Sequence, residues 1–170
     1  MIKKGSLLGL TLLLLFALTG CGNETVPQEK REQKTITVTD AAGRRVTLKH
    51  PVERYAISTF DLIDFIIPLK GEEAFAMLKG VGDSGGKKNY DKVYEPRFPQ
   101  YKEQWKIISP HGAPFDVEAI LAAKPDVLIV NSVMQGHMYA MDIEPRLTEA
   151  GIALLLIDVP GKTTQSAQDL

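Results

Sequence analysis

Phe115-Asp-Val-Glu-Ala-Ile-Leu-Ala-Ala-Lys-Pro-Asp-Val-Leu-Ile-Val130 places a helix, a stop and a strand within 16 residues. Asp116 stands where an N-cap belongs, and Glu118 falls in the first turn, where negative charge complements the helix dipole. Val117, Ile120 and Leu121 supply an inner face. Lys124-Pro125 ends the helix, because the proline ring crowds the preceding residue out of helical geometry. Asp126 then opens the apolar run to Val130, the pattern of a strand covered on both faces.

Working outward from this unit, a helical segment passes through Met138, Met141 and, after Pro145, Leu147 to Gly151, and Ile152 to Val159 makes the last strand. Upstream, Met77 to Val81 reads as a strand running into the glycine-rich loop Gly82-Asp-Ser-Gly-Gly86. Arg54 to Ser58 is a short strand, and the helix-length apolar segment from Phe60 to Leu69 ends near Pro68 and Gly71. Thr35 to Thr39 and Arg45 to Lys49 alternate β-branched and polar residues around the turn residues Asp40 to Gly43, so a hairpin opens the domain. Between Lys87 and Pro110, Tyr90, Tyr94, Arg97, Phe98, Tyr101 and Trp105 alternate with charged residues, which fits a wet surface serving either as a ligand platform or as a structural flap. Strand and helix alternate, so the expected fold is α/β, a Rossmann-like three-layer lobe with a mainly parallel sheet behind a hairpin. Ligands of such sheets sit beyond the carboxyl ends of the strands. Here those loops are Ser58 to Phe60, Gly82 to Gly86, Asn131 to His137 and Pro160 to Thr163.

The N-terminus carries a different signal. Lys3 and Lys4 precede an apolar stretch from Leu7 to Leu18, and a polar tract follows too soon for a membrane span of about 20 residues. Leu18-Thr19-Gly20-Cys21 resembles the bacterial lipobox, in which small residues admit the signal peptidase and the cysteine thiol receives a diacylglyceryl group. The expected organisation is a signal peptide over 1–20, a flexible tether over 21–34 and a folded domain over 35–170, held by lipid on Cys21 to the extracytoplasmic face of the membrane. With 20 Lys plus Arg against 21 Asp plus Glu, the chain has no basic field for nucleic acid, and processing makes it more acidic. One cysteine forms no internal disulfide, and His50, His111 and His137 lack ligand spacing, so no direct metal site and no cofactor are expected.

Three motifs compete for an enzymatic reading. Gly80-Val-Gly82-Asp-Ser-Gly85 matches the dinucleotide fingerprint, but Gly86-Lys-Lys-Asn follows it with no apolar helix face. Gly82-Asp-Ser84-Gly-Gly86 matches the G-x-S-x-G elbow of α/β serine hydrolases, with Asp126 and His137 downstream in a permitted order. A surface-anchored hydrolase is therefore the alternative function, beside a noncatalytic sensor or scaffold lobe. Gly161-Lys-Thr163 lacks the upstream glycine of a phosphate loop, having Leu156 in its place.

Thr35-Ile-Thr-Val-Thr-Asp-Ala-Ala-Gly-Arg-Arg-Val-Thr-Leu48 with Pro51-Val-Glu-Arg-Tyr-Ala-Ile57, and the helix and strand from Phe115 to Ile129, together resemble the periplasmic binding proteins of ABC importers for ferric siderophores, haem and cobalamin. The resemblance covers Thr35 to Leu170 and implies the N-terminal lobe only of a bilobal protein with a helical backbone, so the chain is expected to be truncated. It implies a monomeric, non-enzymatic lipoprotein that captures a metal chelate or corrinoid and delivers it to an ABC permease in the cytoplasmic membrane. Flat apolar surface of such a ligand would meet Phe60, Tyr90, Tyr94 or Met134, and its polar rim Thr59, Ser84, His111, Asn131 and Ser132, while Arg97 would answer an anionic ligand. Asp61 and Asp64 would face basic residues of the permease.

Overall fold

The computed structural model describes residues 34–82, 88, 90–110, 113–132 and 135–158, with side chains left out at 135–137. Cys21, the signal sequence and nearly all of the tether lie outside them, as does the stretch 163–170.

Five short strands form the main sheet: β3 (Tyr55–Ile57), β4 (Leu78–Gly82), β5 (Lys106–Ser109), β6 (Val127–Asn131) and β7 (Ala153–Ile157). Their order is β5-β4-β3-β6-β7, and each neighbouring pair is parallel. Alternation along the strands builds two cores. Tyr55, Ile57 and Val127 point to one face and pack with Leu78, Phe75, Ile63 and Tyr90. Ala56, Leu128, Val130, Leu154 and Leu156 point to the other and pack with Ile120 and Leu147. The sheet is thus covered on both sides, and the apolar run of β6 is explained by that double burial.

The helices covering the sheet are α1 (Ile63–Lys70), α2 (Glu73–Met77), α3 (Val117–Ala123) and α4 (Gln135–Glu149). A 3₁₀ turn over Phe60–Leu62 leads into α1, so the apolar segment after β3 is two helical pieces that end at Gly71. In α3, the Asp116 carboxylate accepts the Ala119 N–H at 3.0 Å, the cap its position predicts. Lys124 leaves helical geometry ahead of Pro125 by the left-handed region (φ 49°, ψ 52°) instead of the extended one, and its N–H closes the helix on the carbonyls of Ile120 and Leu121. The elements not anticipated are α2, of five residues, the edge strand β5, of four, and the short helical turns Tyr90–Tyr94 and Pro99–Tyr101. Among the described residues no helix is long and apolar enough to cross a membrane.

The hairpin of β1 (Thr35–Thr39) and β2 (Arg45–Lys49) is antiparallel and stands outside the main sheet. Its turn is fastened to the outer edge of β7, where the Ala41 N–H reaches the Leu156 carbonyl at 2.9 Å. Asp40, its side chain fully buried, accepts the main-chain N–H groups of Ala42 and Arg44 and two guanidinium donors of Arg44. A third guanidinium nitrogen of Arg44 reaches Glu144 of α4 at 2.6 Å, so one arginine joins turn, sheet edge and helix. The hairpin thereby covers an edge that would otherwise offer unpaired backbone to another chain.

Candidate functional site

β4 and β5 lie to one side of β3, while β6 and β7 lie to the other, so the chain reverses its direction of winding between β3 and β6. In open parallel sheets the connections at such a reversal leave the two carboxyl ends in opposite directions, which is where a ligand crevice forms. The described residues at the strand tips are Ser58 and Thr59 after β3, Gly82 on β4, Ser109 and Pro110 on β5, Asn131 and Ser132 on β6, and Asp158 after β7.

Backbone and hydroxyl groups hold these tips together. The Ser58 N–H donates to the Ile129 carbonyl at 2.9 Å, and the Asn131 N–H donates to the Ser58 hydroxyl at 3.1 Å. The Ser132 N–H reaches Ile157 O at 2.8 Å, and the Ser109 hydroxyl closes its own loop on Ala113 O at 2.9 Å. A Cβ on Gly82 would lie 1.9 Å from the Ser58 carbonyl oxygen, so the tip of β4 touches β3 through bare backbone. Thr59 is extended (φ −143°, ψ 146°) and half-buried, and its hydroxyl makes no capping bond. Thr59, Asn131 and Ser132 are thus brought to one crest of half-buried hydroxyl and amide groups, chemistry suited to the polar rim of a ligand. Ser84, His111 and Met134, named with them on sequence grounds, lie outside the described residues. Among those described, no cluster of three or more His, Cys, Asp or Glu could hold a metal ion.

The aromatic segment requires a correction. Phe60 is 2% exposed and Tyr90 0%, so neither offers an open wall to a ligand. Tyr90 meets Trp105 edge-on at 4.8 Å between centroids and Phe75 at 5.8 Å, and Phe60 packs against Tyr90, Tyr94 and Trp105. Burial of these rings, each carrying a large apolar area, outweighs the wet surface that the interleaved charges suggest. The segment is a flap pinned by phenols: Tyr90 to the Phe98 carbonyl, Tyr94 to Asp64 on α1, and Tyr101 to Glu72 at 2.9 Å. Burial, then the bond to Asp64 and its charge, push the Tyr94 hydroxyl up to about 12. Asp64 is therefore engaged with the flap, while Asp61 is exposed beside it. Arg97 is exposed over the Phe98 ring at 5.8 Å.

The hydrolase alternative loses its acid. Asp126 lies ahead of β6, level with Arg54, at the amino end of the sheet, whereas the loop toward Ser84 leaves from Gly82 at the carboxyl end. A strand length of roughly 13 Å or more separates those ends. Asp126 instead accepts the N–H groups of Glu53 and Arg54 at 3.0 and 2.9 Å and the Lys49 ammonium at 3.4 Å. Burial alone would raise its carboxyl, but these bonds and the lysine charge outweigh that and hold it below the ordinary value. Away from the tips, a cavity of about 510 Å³ lies between β2, β7 and α4, lined by Arg45, Thr47, Lys49, Asp126, Glu144 and Thr148 among others. Lys49, Asp126 and Glu144 are already paired within the protein, which marks this space as a crevice beside the hairpin.

No protein-family model and no curated protein matches the chain. Solved structures do. A periplasmic solute binding protein from Veillonella parvula superposes with a TM-score of 0.62 at 20% identity, over 75% of this chain and 36% of that one. The molybdate periplasmic binding protein MolA of a Haemophilus influenzae ABC transporter, bound to molybdate, gives 0.55 at 21% identity, over 72% of this chain and 34% of that one. The haem binding protein HmuT gives 0.50 at 19% identity, over 80% of this chain and 38% of that one. The chain thus has the fold of part of such proteins and spans about a third of their length.

Proposed function

We propose that the chain is a substrate-binding lipoprotein of an ABC importer, lipid-anchored through Cys21 on the extracytoplasmic face, whose strand-tip crest supplies one wall of a ligand cleft. The cargo class is a metal chelate, a ferric siderophore or haem, or a corrinoid, held without turnover and passed to a membrane permease. The observation that carries this reading is the fold shared with solved periplasmic binding proteins, together with the polar crest at the switch point where parallel sheets take their ligands. Thr59, Asn131 and Ser132 are the proposed ligand contacts that fall among the described residues. Ser84, His111 and Met134 are assigned by their loops, and Tyr94 and Arg97 by their place on the flap. Asp61 is the freer of the two acidic residues offered to the permease, since Asp64 holds Tyr94.

The test has two arms. Expression of the full chain in a bacterium fed radiolabelled fatty acid is expected to label it, and Cys21→Ala to abolish the label. Titration of the Trp105 fluorescence with haemin, a ferric hydroxamate, a ferric catecholate, cyanocobalamin and molybdate is expected to give saturable quenching by one class. Quenching by none of them, or by molybdate alone, overturns the cargo assignment, and an unlabelled wild-type chain overturns the anchor.

A further inference from the structure

β3 and β6 form a regular parallel pair through Ile57 and Ile129, with the Ser58 N–H on the Ile129 carbonyl. In an evenly spaced parallel ladder the next rung would carry the Asn131 N–H to the Ser58 carbonyl. It does not. The Asn131 N–H goes to the Ser58 hydroxyl at 3.1 Å, while the Ser58 carbonyl faces the other way, against Gly82 of β4, where no side chain fits. One residue therefore meets both neighbours of β3 at the point where the strands part: its hydroxyl bonds β6, and its carbonyl lies against Gly82 of β4.

We infer that Ser58 is the positioning residue of the crest, its hydroxyl replacing the last backbone rung so that Asn131 and Ser132 keep their places while β3 and β6 diverge. Ser58 need not touch the ligand. It acts through Asn131, whose N–H would otherwise lose its acceptor at a half-buried position, and through the packing of Gly82. The ligand consequence rests on the proposed cleft; the clamp itself does not.

Amide hydrogen exchange of the full chain separates the two. In Ser58→Ala the Asn131 amide is expected to exchange roughly two- to tenfold faster, the span set by one net hydrogen bond, relative to Leu128 in the middle of the same strand. Ser58→Thr, which keeps the hydroxyl, is expected to restore the wild-type ratio, a rescue that a mere loss of packing volume would not give. An unchanged Asn131-to-Leu128 ratio in Ser58→Ala overturns the clamp. In the second arm, affinity for whichever of the five probes quenches wild type is expected to fall several-fold in Ser58→Ala and recover in Ser58→Thr. Affinity unchanged in a variant whose Asn131 amide has loosened overturns the positioning role. If none of the probes binds wild type, the proposed function fails while the exchange ratio still decides the clamp.

Discussion

Replacing Gly82 by alanine tests how closely β3 and β4 are pressed together at the crest. The added Cβ would stand 1.9 Å from the Ser58 carbonyl oxygen, and real side chains do not come within 3.0 Å of such an atom, so the tips must part by at least about 1.1 Å. The obstacle is main chain and cannot rotate away. Overpacking of this kind costs about 1–3 kcal/mol. Parting the strands also strains the Ser58 bonds to Ile129 and Asn131, at 2.9 and 3.1 Å, each of which contributes about 1 kcal/mol. Together these reach a loss of about 3–5 kcal/mol, a large fraction of the stability of a domain this size. Two other glycines serve as internal controls. At Gly80 a Cβ would meet the Ile108 side chain at 2.8 Å and Ala56 at 3.2 Å, a smaller overlap against side chains, worth about 1–2 kcal/mol. At Gly43 there is open space but a φ of +74°, so the cost is the left-handed backbone alone, about 1 kcal/mol. Urea unfolding of the three variants, with the slope checked for constancy, reads the order directly. A Gly82→Ala midpoint no lower than that of Gly43→Ala would refute the close contact, and with it the geometry ascribed to Ser58.

Other perturbations probe the rest of the fold. Arg44→Met leaves the buried Asp40 carboxylate short of two donors and should cost about 2–3 kcal/mol in thermal or urea unfolding, with Asp40→Asn recovering part of it in the double variant; additive losses would show that the pair is not coupled. For pH, burial alone would raise Asp40, but the Arg44 bonds and charge and the Ala42 N–H hold it below the ordinary 3.8, so its contribution is complete above that value and is lost as pH falls through the lower folded value. Acid unfolding followed by circular dichroism should therefore begin at higher pH in Arg44→Met than in wild type. Asp126→Ala strands the N–H groups of Glu53 and Arg54 at the entry to β3 and should cost about 2 kcal/mol, measured by urea midpoint. Leu128→Ala, at a fully buried position in the central part of the sheet, should cost about 3–5 kcal/mol by the same measurement.

What the sequence makes legible is what short-range chemistry decides. The Asp116 cap, the Lys124-Pro125 stop and the doubly covered β6 each depend on a few adjacent residues, and all three stand in the structure. The α2 helix and β5 are too short for periodicity to distinguish them from loop. The ligand-platform reading fails at Phe60 and Tyr90 for a related reason: alternating Tyr and Lys says that a segment is amphipathic, not which face meets the core. Phe60 and Tyr90 went inward because Phe75 and Trp105 were there to receive them, partners up to 45 residues away in the chain. The crest carries the same lesson further. Gly82 reads as a flexible point in a glycine-rich loop, yet its φ lies outside the left-handed region, and what excludes a side chain is Ser58, 24 residues earlier. That contact exists because β4 lies beside β3, and the crevice exists because β6 lies on the other side. Strand order is a property of the whole sheet. A site formed at the reversal of that order is therefore the last feature a linear reading can reach, even though every residue in it stands at a strand end the sequence marks clearly.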